Sequence, residues 1–211
     1  GELGIRMLLV GNTDQVFYYN SSTDPYTNNS GATMLNENTP VLNNIIGESN
    51  YDIGHVFCTG GSGIATPASV CTGSKARGVS GRIAPITDSY YVDFVAHEMG
   101  HQLGAFHTQN NNCSRSSQSF EPGSGSTIMS YAGICAPNVQ STPDDYFHTA
   151  SLIQIGDFVT TGAGTCYGTL SYSNSPPTVD AGQDYSIPKS TPFVLVAIAS
   201  DPDNDPLLYR W

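Results

Sequence analysis

The clearest pattern of apolar positions along the chain lies between residues 88 and 103. Apolar side chains recur there at helical spacing, at Val92, Val95, Ala96, Met99 and Leu103. Asp88 and Ser89 are suited to cap a helix N-terminus, and Gly104 is suited to end the helix because glycine tolerates left-handed backbone. The pattern therefore predicts an amphipathic helix that is anchored in the core and stops at Gly104.

Weaker patterns predict the remaining elements of the first 160 residues. Apolar runs indicate strands at 5–10, 15–19 and 51–57, and helices at 36–46 and 150–155. Pro40 limits where the first of these helices begins, because proline lacks the amide hydrogen that a helix interior needs. Neither His55 nor His148 has ligand spacing to the other histidines, and we interpret both as structural.

Composition and charge narrow the class of protein. The 211 residues suffice for one domain of ordinary size plus a remainder. A net charge of −11 with only seven Lys and Arg excludes a nucleic-acid binder, because phosphates would be repelled. No apolar run approaches the roughly 18 residues of a membrane span. The low overall charge, with many Asn, Ser, Thr, Gly and Tyr residues, favours a secreted protein, which we expect to be a monomer.

The predicted helix carries the residues of a metal site. His97 and His101 are four residues apart, so both rings project from one helix face toward a single ion. Catalytic zinc usually has three protein ligands, and a turn at Gly104 would bring His107 back as the third. Glu98 lies beside the pair, where we expect it to act as the general base that takes a proton from zinc-activated water.

These residues resemble the signature of the metzincin zinc peptidases, HExxHxxGxxH followed by a Met-turn. The candidate Met-turn is Ser-Thr-Ile-Met-Ser-Tyr at 126–131, and the resemblance places Met129 beneath the zinc. It further implies that Tyr131 approaches the metal or the transition-state oxyanion. Residues 5–166 resemble the reprolysin/adamalysin branch, especially secreted bacterial members, although Thr108 stands where adamalysins have aspartate after the third histidine.

The resemblance implies an α+β catalytic domain with a twisted mixed sheet and an active-site helix. We expect it to span residues 1–170 and to lack its first strand and helix, which the family places upstream. The resemblance also places a strand around 63–67 on the upper rim of the cleft. There Gly63, Ile64 and Ala65 would pair by backbone hydrogen bonds with an extended polypeptide substrate.

Five cysteines are spread through loop-like sequence with no CxxC spacing, which favours disulfides over a second metal site. Cys113 and Cys135 flank the Met-turn loop, so we expect them to pair. Cys71 pairs either locally with Cys58 or, by analogy with adamalysins, with Cys166. The odd count leaves one thiol over.

The sequence changes character after Cys166. Residues 171–178 form a proline-marked linker, and residues 179–211 resemble the opening strands of an Ig-like module of the cadherin or PKD kind, cut before its seven strands are complete. We expect a strand at 193–199. Several aspartates are candidate ligands for calcium, and solvated carboxylates are at least as good an interpretation of them: Asp24, Asp144, Asp145, Asp201, Asp203 and Asp205.

The sequence therefore predicts a secreted zinc endopeptidase, with zinc as its cofactor and calcium as a second candidate. One alternative is a catalytically silent zinc-stabilised domain that binds proteins or glycans. Glu98 argues against it, since a structural site has no need of a carboxylate beside an open ligand position. The other alternative is a zinc amidase or deacetylase that acts on small molecules, which a closed cleft would favour.

Overall fold

A computed structural model of the chain describes residues 3–171 and 173–209. The described residues divide into two compact units, with the boundary between Tyr167 and Gly168. Residues 1 and 2, residue 172 in the expected linker, and residues 210 and 211 in the expected module lie outside the described residues. The first unit is an α+β structure of helices around a small mixed sheet, as the sequence predicts.

The first long helix, α1, spans Gly31–Leu42 and continues as a π-helical segment, Asn43–Gly47, and a 3-10 turn, Glu48–Asn50. It begins five residues before the predicted start at residue 36 because Ser30 caps it: the Ser30 hydroxyl accepts a hydrogen bond from the Thr33 amide. Pro40 lies inside this helix, near its end, and does not mark its beginning. The buried face of α1 packs Met34 and Leu35 against the sheet.

The sheet of the first unit has three strands, β1 (Val56–Cys58), β2 (Ser62–Ala65) and β3 (Gly78–Gly81), in the order β1-β3-β2. β1 runs parallel to β3 and β2 runs antiparallel to it, with Gly63 opposite Ser80 and Ile64 opposite Val79. β3 is fully buried, as a central strand should be. The predicted strand at 51–57 is shorter than expected, and β3 was not predicted.

The motif helix consists of three segments in unbroken succession: α2 (Asp88–Tyr90), a π-helical segment (Tyr91–Ala96) and α3 (His97–Gln102). Its N-cap is Thr87, which makes no capping hydrogen bond through its side chain, so the prediction of Asp88 or Ser89 as N-cap was wrong. Its end is as predicted. Gly104 has a φ of +100°, in the left-handed region that favours glycine.

One hydrophobic cluster lies directly beneath this helix. Its buried members are Val70, Leu103, Ala105, Ile128, Met129 and Ile155. Ile155 belongs to α4 (Thr149–Thr160), which extends the predicted helix at 150–155 in both directions. His148 caps α4, since its Nδ1 accepts a hydrogen bond of 3.0 Å from the Ala150 amide. This contact supports a structural role for His148.

The strands predicted near the start of the chain are absent from the described structure. Residues 5–10 have no regular secondary structure, and Thr13–Val16 forms a 3-10 turn. Leu8 and Leu9 are exposed. A strand is stable only when its backbone groups pair with a neighbouring strand, and no described segment pairs with residues 5–10.

The cysteines of the described residues form two disulfides, Cys71–Cys166 and Cys113–Cys135, and Cys58 keeps a buried free thiol in β1. The expected Cys113–Cys135 pair is therefore confirmed, and Cys71 pairs with Cys166 rather than with Cys58.

In the described part of the chain no helix is long and apolar enough to cross a membrane. The second unit contains one antiparallel strand pair, β4 (Thr178–Asp180) and β5 (Ile198–Ser200), with β5 later than the expected strand at 193–199.

Candidate metal centre

Two histidines on one helix and a third from the following turn converge on one point. His97 and His101 lie on α3, and His107 follows the reversal at Gly104. One ligand nitrogen from each of the three rings lies within 4.8 Å of the others. His97 and His101 are buried and His107 is half-buried, so the site is open toward the side of His107. The structure thus brings the predicted ligand set together.

A backbone carbonyl fixes the orientation of each ring. His97 Nδ1 lies 2.7 Å from the Ile128 oxygen and His101 Nδ1 lies 2.7 Å from the Ala105 oxygen. His107 Nδ1 lies 2.9 Å from the oxygen of Ser114. Since a carbonyl only accepts, each Nδ1 carries a proton and donates it, and each Nε2 of a neutral ring presents a lone pair.

The Nε2 atoms of His101 and His107 are 3.0 Å apart. With both Nδ1 atoms protonated, two lone pairs face each other in the neutral rings, an arrangement that a cation between them would stabilise. Burial lowers the pKa of His97 to about 3 and that of His101 to about 4, in each case with help from a neighbouring imidazole. Neutral imidazoles are the form that binds metal, so the donor set fits one zinc ion.

Glu98 is buried next to His97 on α3, under Gly63 of β2. The position that a Cβ on Gly63 would occupy lies 2.5 Å from Glu98 Oε1 and 3.2 Å from the carboxyl carbon, so this glycine lets the strand pass over the carboxylate. Burial raises the pKa of Glu98 to about 8. Of the predicted rim residues, Gly63, Ile64 and Ala65 all lie in β2.

Met129 lies under the motif helix with its side chain fully buried. A Cβ on Gly100 would meet Met129 Sδ at 2.5 Å and the ring of Phe147 at 3.1 Å. The sulfur therefore packs on the backbone of the helix turn between His97 and His101. Met129 also accepts a hydrogen bond through its carbonyl from the Thr108 amide, at 3.1 Å. This contact ties the Met-turn to the residue that follows His107.

Tyr131 flanks the site on the His107 side. Its ring centroid lies 4.5 Å from that of His107 and 6.0 Å from that of His97. Its backbone is held by a 2.9 Å hydrogen bond from its amide to the Ser124 carbonyl. The tyrosine is thus in ring contact with one of the predicted ligands.

Several residues that shape this site have no direct sign in the sequence. The three carbonyls of Ile128, Ala105 and Ser114 carry no side-chain signature, so only the folded structure identifies them. Glu121 was also missed. It is the sole charged residue from 116 to 143, which is a signal that was available in the sequence. Its buried carboxylate accepts a hydrogen bond from the hydroxyl of Thr108, the residue that departs from the adamalysin pattern.

The calcium expectation gains no support. Among the described residues, the three histidines are the only group of three or more His, Cys, Asp or Glu side chains close enough to hold one ion. The candidate aspartates form no such group in that part of the chain.

Three histidine nitrogens close enough to share one ion, with a carboxylate on the helix that carries two of these histidines, match the donor set of a peptidase zinc site. The comparison with protein families agrees: residues 1–157 match the family described as metallo-peptidase family M12B, reprolysin-like. Because this match covers most of the chain, the protein belongs to that family and is a metallopeptidase. A comparison with curated proteins gave no significant match.

Proposed function

We propose that the protein is a secreted zinc-dependent endopeptidase that hydrolyses peptide bonds in extended polypeptides. The observation that carries this proposal is the convergence of one ring nitrogen from each of the three histidines, two of which share a helix with the buried carboxylate of Glu98. The two disulfides support secretion, because such bonds persist in oxidising compartments. Zinc held by His97, His101 and His107 would polarise a scissile carbonyl and lower the pKa of a water molecule in the site.

Glu98 is the proton carrier in this proposal. Burial favours its protonated form, but a cation held by the adjacent histidines would draw the pKa of its carboxyl back down. The ionised Oε1 or Oε2 then accepts a proton from water, and the same oxygen returns it to the leaving amine. The contact with Gly63 fixes where the carboxylate points, under the strand that would receive the substrate.

The rim strand supplies a means of binding an extended peptide. β2 pairs with β3 on one side, and no described strand pairs with its other side. Every second residue of an edge strand turns its amide and carbonyl away from the paired neighbour, so the segment 63–65 leaves backbone groups available for strand addition. Because the edge passes over Glu98, a peptide paired there would have its backbone next to the proton carrier. This arrangement favours an endopeptidase over an amidase for small molecules.

Two further roles are proposed. Tyr131, in contact with the His107 ring, would donate a hydrogen bond to the oxyanion of the transition state.

Residues 179–211 would belong to an Ig-like module joined through residues 171–178 to a catalytic domain at 1–170. The antiparallel pairing of β4 and β5 supports the module, since such modules are built of antiparallel strands.

The proposal is tested by measuring bound zinc and casein cleavage for the wild-type chain and for Glu98→Gln, with and without a chelator. We expect one zinc per chain in both proteins and chelator-sensitive cleavage in the wild type alone, because glutamine keeps the shape of glutamate but accepts no proton. Glu37→Gln is the matched control, since Glu37 accepts hydrogen bonds from Thr27 and contacts no histidine of the site. Undiminished cleavage by Glu98→Gln would refute the role of Glu98, and wild-type protein without zinc would refute the whole proposal.

A further inference from the structure

Glu121 is a buried carboxylate surrounded by hydrogen-bond donors. Its Oε1 accepts from the Ser126 amide at 2.8 Å, the Thr127 amide at 3.1 Å and the Ser126 hydroxyl at 3.3 Å. Its Oε2 accepts from the Thr127 hydroxyl at 2.6 Å and from the Thr108 hydroxyl. An ionised carboxylate only accepts, so this set of donors matches it without a conflicting acceptor.

The donors belong to two segments that hold different histidines. Thr108 directly follows His107. Thr127 directly precedes Ile128, whose carbonyl accepts the Nδ1 proton of His97. The backbone of Glu121 reinforces the first link, because its amide donates to the Thr108 carbonyl at 2.8 Å. The side chain of Glu121 thus joins the segment that carries His107 to the segment that orients His97.

The carboxylate is held in its charged form. Burial by itself would raise the pKa of Glu121, but the hydrogen bonds from Thr108, Thr127 and Ser126 outweigh burial and keep the pKa below its ordinary value. Hydrogen bonds to an ionised acceptor are stronger and shorter than those between neutral groups. The link between the segments of Thr108 and Thr127 is therefore stiff at neutral pH.

We propose that Glu121 is a positioning residue of the metal centre, whose carboxylate holds Thr108 against Thr127 and thereby sets the spacing between His107 and the ring of His97. Glu121 itself contacts no ligand atom and acts through these two threonines. The inference rests on the proposed function, because it assumes that zinc is bound by the three histidines. Groups hydrogen-bonded directly to metal ligands contribute about 10-fold to 100-fold to metal affinity, and this range is an upper limit for Glu121, which acts one residue further out.

The test is competition for zinc between the protein and a chromophoric chelator of known affinity, together with the thermal midpoint of the metal-free protein. Glu121→Gln replaces one acceptor oxygen by an amide NH2 group that faces other hydrogen-bond donors. Thr108→Val removes one of the donating hydroxyls at nearly constant side-chain volume. We expect the zinc Kd to rise by about 10-fold in Glu121→Gln, at the lower end of the range for direct partners of ligands, and less in Thr108→Val. Thr108→Ser keeps the hydroxyl and should restore the wild-type Kd. Glu37→Gln, which also loses a carboxylate that accepts two hydrogen bonds, should bind zinc like the wild type.

A purely structural role would lower the thermal midpoint of the metal-free protein and leave the zinc Kd unchanged in Glu121→Gln and Thr108→Val, which would overturn the inference. If Glu121→Gln does not fold, Thr108→Val and Thr127→Val decide the question by the same measurement. A wild-type chain that binds no zinc would instead overturn the proposed function, so the two failures are distinguishable.

Discussion

Met129 Sδ lies 2.5 Å from the point that a Cβ on Gly100 would occupy, in the helix turn between the first two histidines. Real Cβ atoms do not approach a sulfur so closely, and both Met129 and the neighbouring Phe147 ring would have to move. Met129 has no exposed surface, so it has no free space to move into. The floor of the metal centre is therefore packed directly on helix backbone.

We expect Gly100→Ala to lower the free energy of unfolding by about 1–2 kcal/mol, because the cost of overpacking exceeds the gain in helix propensity. Gly156→Ala is the matched control: it lies in α4, and a Cβ there would meet nothing within 4 Å. The free energy of unfolding of this control should rise by about 0.5–1 kcal/mol. Urea unfolding of the metal-free proteins measures both, and equal gains would show that Met129 adjusts freely.

Gly63→Ala should reduce peptide hydrolysis without removing zinc. Its Cβ would push Glu98 Oε1 from its position, and a shift of about 1 Å at a reacting group costs up to about 100-fold in rate. We expect kcat/KM to fall on the order of 10-fold to 100-fold with unchanged zinc content. Gly61→Ala serves as control, because a Cβ at that nearby loop position would meet nothing within 4 Å. Equal kcat/KM in the two variants would refute the contact as a constraint on Glu98.

His55 should make the fold sensitive to mild acid. Its Nδ1 lies 2.7 Å from Gln102 Oε1 and its Nε2 lies 2.9 Å from the Ser80 hydroxyl. Burial lowers the pKa of this histidine to about 4, against a smaller raising effect of the hydrogen bond to Gln102. The unfolded chain takes up a proton at this residue near pH 6.5, whereas the folded chain does so only near pH 4.

The free energy of unfolding should therefore fall as pH drops from about 6.5 to about 4, by at most about 3 kcal/mol from this residue, and fall no further below that. His55→Gln does not titrate and should lack this component. Denaturant unfolding of both proteins at each pH, with chelator present, isolates the component as the difference between the two curves. Parallel curves would contradict the lowered pKa.

The two disulfides should differ in what they stabilise. By loop entropy, loss of Cys71–Cys166 should cost about 5 kcal/mol of stability and loss of Cys113–Cys135 about 3 kcal/mol, since the sequence separations are 95 and 22. Zinc release should follow the opposite order, because Cys113–Cys135 closes a short loop directly around Glu121 and the Met-turn, whereas Cys71 and Cys166 both lie far along the chain from them. Paired Cys→Ser variants, compared by urea unfolding and by the rate of zinc transfer to a chelator, check both orders. Faster zinc release on loss of Cys71–Cys166 would contradict this assignment.

The sequence was most informative where a function depends on local spacing. Two histidines four residues apart share a helix face whatever the rest of the chain does, and Gly104 can reverse the chain because of its own backbone freedom. The shared helix face of His97 and His101, the return of the chain to His107 and the end of the helix were therefore predictable. Strand predictions at 5–10 and 15–19 were wrong because pairing, and not apolar content, decides whether a strand forms.

The sequence by itself thus determined the class of chemistry: three imidazoles, a carboxylate beside them and a buried methionine downstream. Only the tertiary structure decided which carbonyls orient the rings, that Cys71 pairs with Cys166, and that Gly63 passes over Glu98. It also brought Glu121 between Thr108 and Thr127. Each of these relationships joins segments distant along the chain or depends on backbone groups that every residue has, so no local pattern of side chains specifies it.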